Sequence, residues 1–120
     1  MTGATSRRKG NQAETAVVRL LKEHGYTAVT SRNARGGTQM GGDIISDFPA
    51  MIEVKNHAKL DLAGWWRQAV AQAEDQPAVV IHKRVGFTDP ADWWATMDLQ
   101  TLIRLLKLAE YQGTQTERTA

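Results

Sequence analysis

Two short apolar runs, Asp43 to Phe48 and Ala50 to Lys55, meet at Asp47-Phe48-Pro49, and no other stretch constrains the chain as strongly. Runs of this length on either side of a turn predict two strands of a hairpin. In the second run Glu53 and Lys55 stand two apart, so on a strand both point to one face, while Ile52 and Val54 point to the other and can be buried. With the turn centred on Phe48, position 43 lies opposite position 53, which makes Asp43 and Glu53 cross-strand neighbours with Cβ atoms ~5 Å apart. Carboxylates so placed repel unless a cation lies between them. The spacing therefore points to a hard divalent metal. Mg²⁺, with Mn²⁺ as a substitute, suits one or two protein carboxylates completed by waters and a phosphate.

Beside such an ion Lys55 has a use. Its ammonium can stabilise charge on an attacked phosphate or position the nucleophilic water. Glu14 follows the core-facing Ala13 on a predicted helix and can reach the same cluster as a third carboxylate. The competing reading is an ion-paired row of Glu53 and Lys55 on a half-exposed strand, which is common and contributes little.

The flanking segments are short and separated by turn signals, as in one compact α/β or α+β unit. Ala13, Val17, Leu20, Leu21 and His24 follow helical spacing over Lys9 to His24, and Gly25 can supply a left-handed cap. Tyr26 to Ser31 reads as a strand and Arg32 to Gly42 as a basic, glycine-rich loop. Asp61 can cap a helix through about Gln76. Ala78 to Lys83 and Trp93 to Met97 read as strands, and Asp98 can cap a terminal helix through about Tyr111. The order is α-β-β-β-α-β-β-α, a central mixed sheet flanked by helices, in one domain over residues 1–112 with a flexible tail at 113–120.

At 120 residues a second core is not expected. No apolar run approaches the ~20 residues that span a bilayer, and the polar start lacks a signal sequence, so a cytoplasmic protein with no membrane contact is expected. Without cysteine there is no disulfide, thiolate chemistry or Cys-bound zinc. Charge is uneven: residues 1–35 carry seven Lys/Arg against two Glu, and the remainder carries eight against eleven Asp/Glu. The basic end can lie along a polyanion while the acidic remainder hosts a cation, or it is a solvated tail. The loop from Ser31 through Arg32 and Arg35 to Gln39 combines cations, small polar groups and glycines that allow close approach to phosphates, or it is a plain surface loop. The pairs Trp65-Trp66 and Trp93-Trp94 read as core or interface before base stacking. His24, His57 and His82 show no ligand spacing.

Taken in order, Glu14, Gly42-Asp43 and Glu53-Val54-Lys55 resemble the PD-(D/E)XK nuclease pattern, with Gly42 where the motif has proline. The run Arg7-Arg8-Lys9-Gly10-Asn11-Gln12-Ala13-Glu14 is similar to the start of archaeal-type Holliday junction resolvases and their bacterial and phage relatives, and the likeness extends from Arg7 to Leu106. The resemblance implies a restriction-endonuclease-like α/β fold, Asp43 and Glu53 as metal ligands, Lys55 as the catalytic lysine and Glu14 as an acidic helper of the metal or its waters. It also implies a glutamine on the second helix at the site, Gln68 or Gln72. Arg7, Arg8, Lys9, Ser31, Arg32 and Arg35 are expected to bind DNA. The implied activity is Mg²⁺-dependent cleavage of four-way junctions in recombination and repair by a homodimer, with no small organic cofactor. Two rivals stand beside it: a PD-(D/E)XK nuclease acting on nicked, flap or single-stranded DNA, and a DNA-binding module without catalysis.

Overall fold

The computed structural model describes the backbone of residues 3–34 and 43–119 and the side chains of residues 7–33 and 43–113. In chain order the elements are α1 (Gly3–Glu23), β1 (Ala28–Thr30), the one-turn α2 (Ser31–Ala34), β2 (Ile44–Ser46), β3 (Met51–Lys55), α3 (Leu62–Ala73), β4 (Ala78–His82), a 3-10 turn (Pro90–Asp92), β5 (Trp94–Thr96) and α4 (Leu99–Thr119). The caps expected from the sequence hold. Gly25 has φ +92°, the left-handed conformation that ends α1. Asp61 accepts from the Gly64 N–H at 3.2 Å, and a Cβ at position 64 would oblige that carboxylate to shift, so glycine lets the cap sit close. Asp98 accepts from the Thr101 N–H at 2.8 Å.

β3, β4 and β5 form one sheet in that order. β3 and β4 are parallel, with Glu53 opposite Val80 and Lys55 opposite His82, and β5 runs antiparallel to β4, with Trp94 opposite His82. A parallel pair needs a crossover, which α3 provides. The alternation of β3 then feeds two layers. Ile52 and Val54 pack with Val79 against Ala13, Val17, Val18 and Leu21 of α1. Met51 packs with Val80 against Trp65, Ala69 and Ala73 of α3. A mixed sheet covered by helices on both faces is the α/β arrangement expected and is compatible with a restriction-endonuclease-like fold.

The hairpin expected between Asp43 and Lys55 does not form. β2 pairs antiparallel with β1, Thr30 opposite Ile44 and Ala28 opposite Ser46. The turn residues explain the difference, because their side chains fasten the chain to β1. Asp47 accepts from the Thr27 N–H at 2.9 Å, the Ser46 hydroxyl donates to the Thr27 carbonyl at 2.6 Å, and Phe48 meets Tyr26 edge-on at 5.1 Å. Two further differences concern extents. Part of the expected loop after Ser31 is helical as α2, and α4 continues past Tyr111 through Thr119, where a frayed tail was expected from residue 113. Nothing after Tyr111 stops a helix; Gly113 costs only ~1 kcal/mol relative to alanine.

Candidate active site

Asp43 lies where β1, α2 and β3 converge. Its carbonyl accepts from the Ser31 N–H at 2.9 Å, its own N–H donates to the Ile52 carbonyl at 3.2 Å, and its Oδ2 accepts from the Val54 N–H at 2.8 Å. The carboxylate is thus fixed against the edge of β3 by main-chain groups. Although the hairpin ladder is absent, position 43 still arrives beside position 53. Ser31, expected at the DNA surface, is buried, and its N–H serves Asp43. Its place at the foot of α2, packed under the β1–β2 pair, accounts for the difference.

Glu53 points toward the α3 layer and is only 3% exposed. That excludes the exposed ion-paired row. Its Oε2 lies 3.7 Å from the Lys55 ammonium, and its Oε1 is buried without a hydrogen-bond partner among the described residues. A buried carboxylate oxygen with no donor costs roughly 1–3 kcal/mol or more, so the arrangement calls for a cation or donor beyond the described side chains. Lys55 donates to Gln68 Oε1 at 2.8 Å, so Gln68, and not Gln72 one turn later, holds the lysine.

Glu14 stands at the rim of the α1 face and meets Arg32 of α2, Oε1 to Nε, at 3.6 Å. The same guanidinium donates to the Asn11 carbonyl at 3.1 Å and the Thr15 hydroxyl at 3.2 Å, docking α2 on α1. The three acids perturb one another. Burial, then the Asp43 charge, pushes Glu53 up to about 7 against the pull of Lys55. Burial and Asp43 likewise push Glu14 up to about 7, with Arg32 opposing. Asp43 is raised by burial, although the Val54 N–H and Lys55 hold it down. Carboxyls that resist ionising together are arranged for a positive partner.

Around α1 the basic residues divide. Arg7, Arg8, Asn11, Gln12, Thr15, Arg19 and Arg32 line an open groove of about 650 Å³. Arg8, Gln12, Thr15 and Arg19 are spaced four, three and four apart, one face of a helix, so Arg19 was legible by periodicity and was missed. Lys9 is not part of this wall; its carbonyl accepts from the Asn56 side chain at 3.3 Å, tying α1 to the end of β3. Arg35 and Gly42 lie outside the described residues.

Among the described residues no group of three or more acidic or histidine side chains is placed to hold an ion unaided. Asp43 and the unpartnered oxygen of Glu53 nevertheless fit a hard divalent cation whose remaining positions are filled by water and phosphate oxygens, with Glu14 at its edge. No helix among the described residues is long and apolar enough to cross a membrane. No curated protein and no solved structure matches the chain. A family model described as "Phage putative PDDEXK endonuclease" matches residues 5–118. The match runs through Glu14, Asp43, Glu53 and Lys55 and takes in nearly the whole fold, and the chain belongs to this family of PD-(D/E)XK endonucleases.

Proposed function

We propose that this endonuclease hydrolyses branched DNA, the four-way junction foremost, as a homodimer with one Mg²⁺-dependent site per protomer. The observation that carries the hydrolytic reading is the buried Oε1 of Glu53, which has no hydrogen-bond partner among the described residues, beside Asp43 and a lysine held by Gln68. Asp43 and Glu53 would hold the ion. When bound, Mg²⁺ (or Mn²⁺) supplies positive charge to the phosphate and lowers the pKa of a nearby water. Lys55, aimed by Gln68, stabilises the extra negative charge of the phosphate as water adds and one P–O bond breaks, leaving a phosphate end and a hydroxyl end. Glu14, at the edge of the cluster and beside Arg32, would be the carboxylate to take the proton released as water adds. The groove of Arg8 and Arg19 follows the DNA backbone on the outer side of α1.

Dimerisation finds support in α4. Thr101 is buried and Leu105 packs on the core, yet Leu99, Leu102, Ile103 and Leu106 stay exposed along a second side of the helix. They are spaced i, i+3, i+4 and i+7, a continuous apolar stripe. Arg104 and Lys107 lie on a third side. A helix of 21 residues is ~31 Å long, and its stripe contributes much of the ~800 Å² per partner that a stable dimer buries. A two-fold dimer also matches the symmetry of a four-way junction.

The test is parallel digestion, with and without Mg²⁺, of end-labelled four-way junction, flap, nicked duplex, duplex and single strand. Paired symmetric nicks confined to the junction are expected. Cleavage of flap or single strand in preference to the junction would replace this substrate with the other DNA structures, and no cleavage of any DNA would sink the hydrolytic reading.

A further inference from the structure

The sequence holds two adjacent tryptophan pairs, and the fold treats the members of the second pair oppositely. Trp93 is 8% exposed, packs into the core beside α1, and donates its indole N–H to the Phe87 carbonyl at 2.7 Å. Trp94, one residue on and therefore on the other face of β5, is 53% exposed. An indole left in water at a strand's start is not explained by packing.

Register places Trp94 with respect to the active site. Lys55 is opposite His82 and His82 is opposite Trp94, so the three form one row across β3, β4 and β5 on the face that carries Glu53. At ~4.8 Å per strand, Trp94 stands ~10 Å from Lys55 along the row. A recess of about 320 Å³ opens there, at the low end of small-ligand pockets, with His57, His82, Arg84, Phe87 and Trp94 in its wall. Its aromatic members are braced. The rings of His57, Trp65, His82 and Trp94 follow one another at 5.7, 5.8 and 5.9 Å, and His82 Nε2 is 2.7 Å from the Thr96 hydroxyl. Arg84 donates to the Asp92 carbonyl at 3.0 Å, which holds its guanidinium 3.8 Å over Phe87 and 4.6 Å over one side of the Trp94 indole. With Arg84 and His82 against it, the indole still keeps about half of its surface in solvent.

We propose that this recess receives one unpaired base of the DNA substrate, stacked on Trp94, while the adjoining phosphate lies toward Lys55. The proposal rests on the nuclease reading of Asp43 and Glu53 and adds a determinant of which DNA is chosen. Three features select this occupant. The recess continues the row that holds the candidate lysine, so a strand engaged there passes over it. Arg84 at the indole, with Lys59 beside His57, supplies cations for the phosphates on either side of the base. A free aromatic face is also sequence-tolerant, because every base has a π-face, whereas bases inside a duplex have both faces covered by their neighbours. The recess therefore favours branch points, flaps and ends over continuous duplex.

Binding is measured with the Glu53→Gln protein, which removes cutting from the readout, on a forked oligonucleotide carrying unpaired 2-aminopurine and on a fully paired duplex of equal length. The fork is expected to bind more tightly and its 2-aminopurine emission to be quenched. Adding Trp94→Ala should lower the fork-to-duplex affinity ratio roughly 5- to 150-fold and abolish the quenching at saturating protein, while Trp94→Phe should recover most of both. An unchanged ratio overturns the proposal, as does an equal loss on both DNAs, which would mark a structural role for Trp94. Conversion of a dimer to a monomer with the ratio intact also overturns it, since the indole is then a protein contact. Because cleavage is not read, a wild-type protein that cuts no DNA would sink the hydrolytic reading and leave the stacking result to stand or fall separately.

Discussion

The edge of β3 and the outer face of α1 carry opposite charge and follow different physics. At β3 three acids and one lysine are crowded into a site where Glu53 is 3% exposed, and one of its oxygens has no hydrogen-bond partner among the described residues. On α1 Arg8 and Arg19 face an open groove in water. In the first region desolvation sets the energies, so one atom can decide whether the site works. In the second, exposed charges are screened and act by number. A nuclease needs both, since the chemistry demands a few groups fixed where charge develops, and the long polyanion demands many weak contacts. Substitutions at β3 should therefore act as switches and those on α1 as graded dials.

The largest effect is expected from Glu53→Gln and Asp43→Asn, which should lower Mg²⁺-dependent cleavage on the order of a thousandfold or more by removing an ion's ligand. The side-chain amide introduced by Asp43→Asn can still accept from the Val54 N–H, so the fold should survive, and DNA binding should persist or tighten as repulsion of phosphate is relieved. Lys55→Ala should cost on the order of 10²–10³ in rate while leaving metal binding by calorimetry in place. Residual activity within tenfold of wild type for either acid variant would break the comparison at its strong end. Lost metal binding in Lys55→Ala would assign the lysine to holding the acids together.

A second, smaller effect is on stability and has a definite sign. Glu53 and Glu14 are raised from 4.5 to about 7 in the folded protein, so between these values the folded chain binds more protons than the unfolded one. Stability of the metal-free protein is then highest below about 4.5, as far as these groups are concerned, and falls as pH rises through about 7. Glu53→Gln should stabilise the metal-free protein by about 1–3 kcal/mol at pH 8 and hardly at all at pH 4.5. Mg²⁺ should restore the wild type at pH 8 and do little for the variant. Thermal melts across pH decide it, and a wild type that gains stability from pH 5 to 8 without metal would mean that the acids are not strained by burial.

The split between the two regions also governs what the sequence could disclose. Period-two alternation placed Glu53 and Lys55 on one face, and caps at Gly25, Asp61 and Asp98 depend on a residue or two of local chain, so each was legible. The pairing of β2 with β1 was not, because it is decided by Asp47 and Ser46 reaching back to Thr27 across some twenty residues. The right proximity of Asp43 to Glu53 was thus inferred through a ladder that does not exist. The role of Arg32 was hidden for a similar reason. On its loop it reads as a free cation, whereas Glu14, Asn11 and Thr15 claim its guanidinium once α2 rests on α1. The opposite fates of Trp93 and Trp94, by contrast, follow from strand alternation alone and needed only to be read residue by residue.

Arg32 sharpens the weak end of the comparison, because a guanidinium committed to α1 should matter for folding as well as for DNA. Replacing it confounds docking of α2 with loss of a phosphate contact, so the cleaner probe is the exposed pair Arg8 and Arg19. Each phosphate contact contributes ~0.9 to the slope of log affinity against log salt through counterion release. The double Arg8→Ala, Arg19→Ala variant should flatten that slope by roughly 1.8 and weaken binding at low salt more than at high salt. Because a catalytic step at β3 does not depend on these contacts once DNA is saturating, the maximal cleavage rate should change less than the affinity. An unchanged slope would show that DNA does not follow α1. A collapse of the saturated rate as large as that of Glu53→Gln would show that the groove positions the scissile phosphate, so that the two regions work as one site.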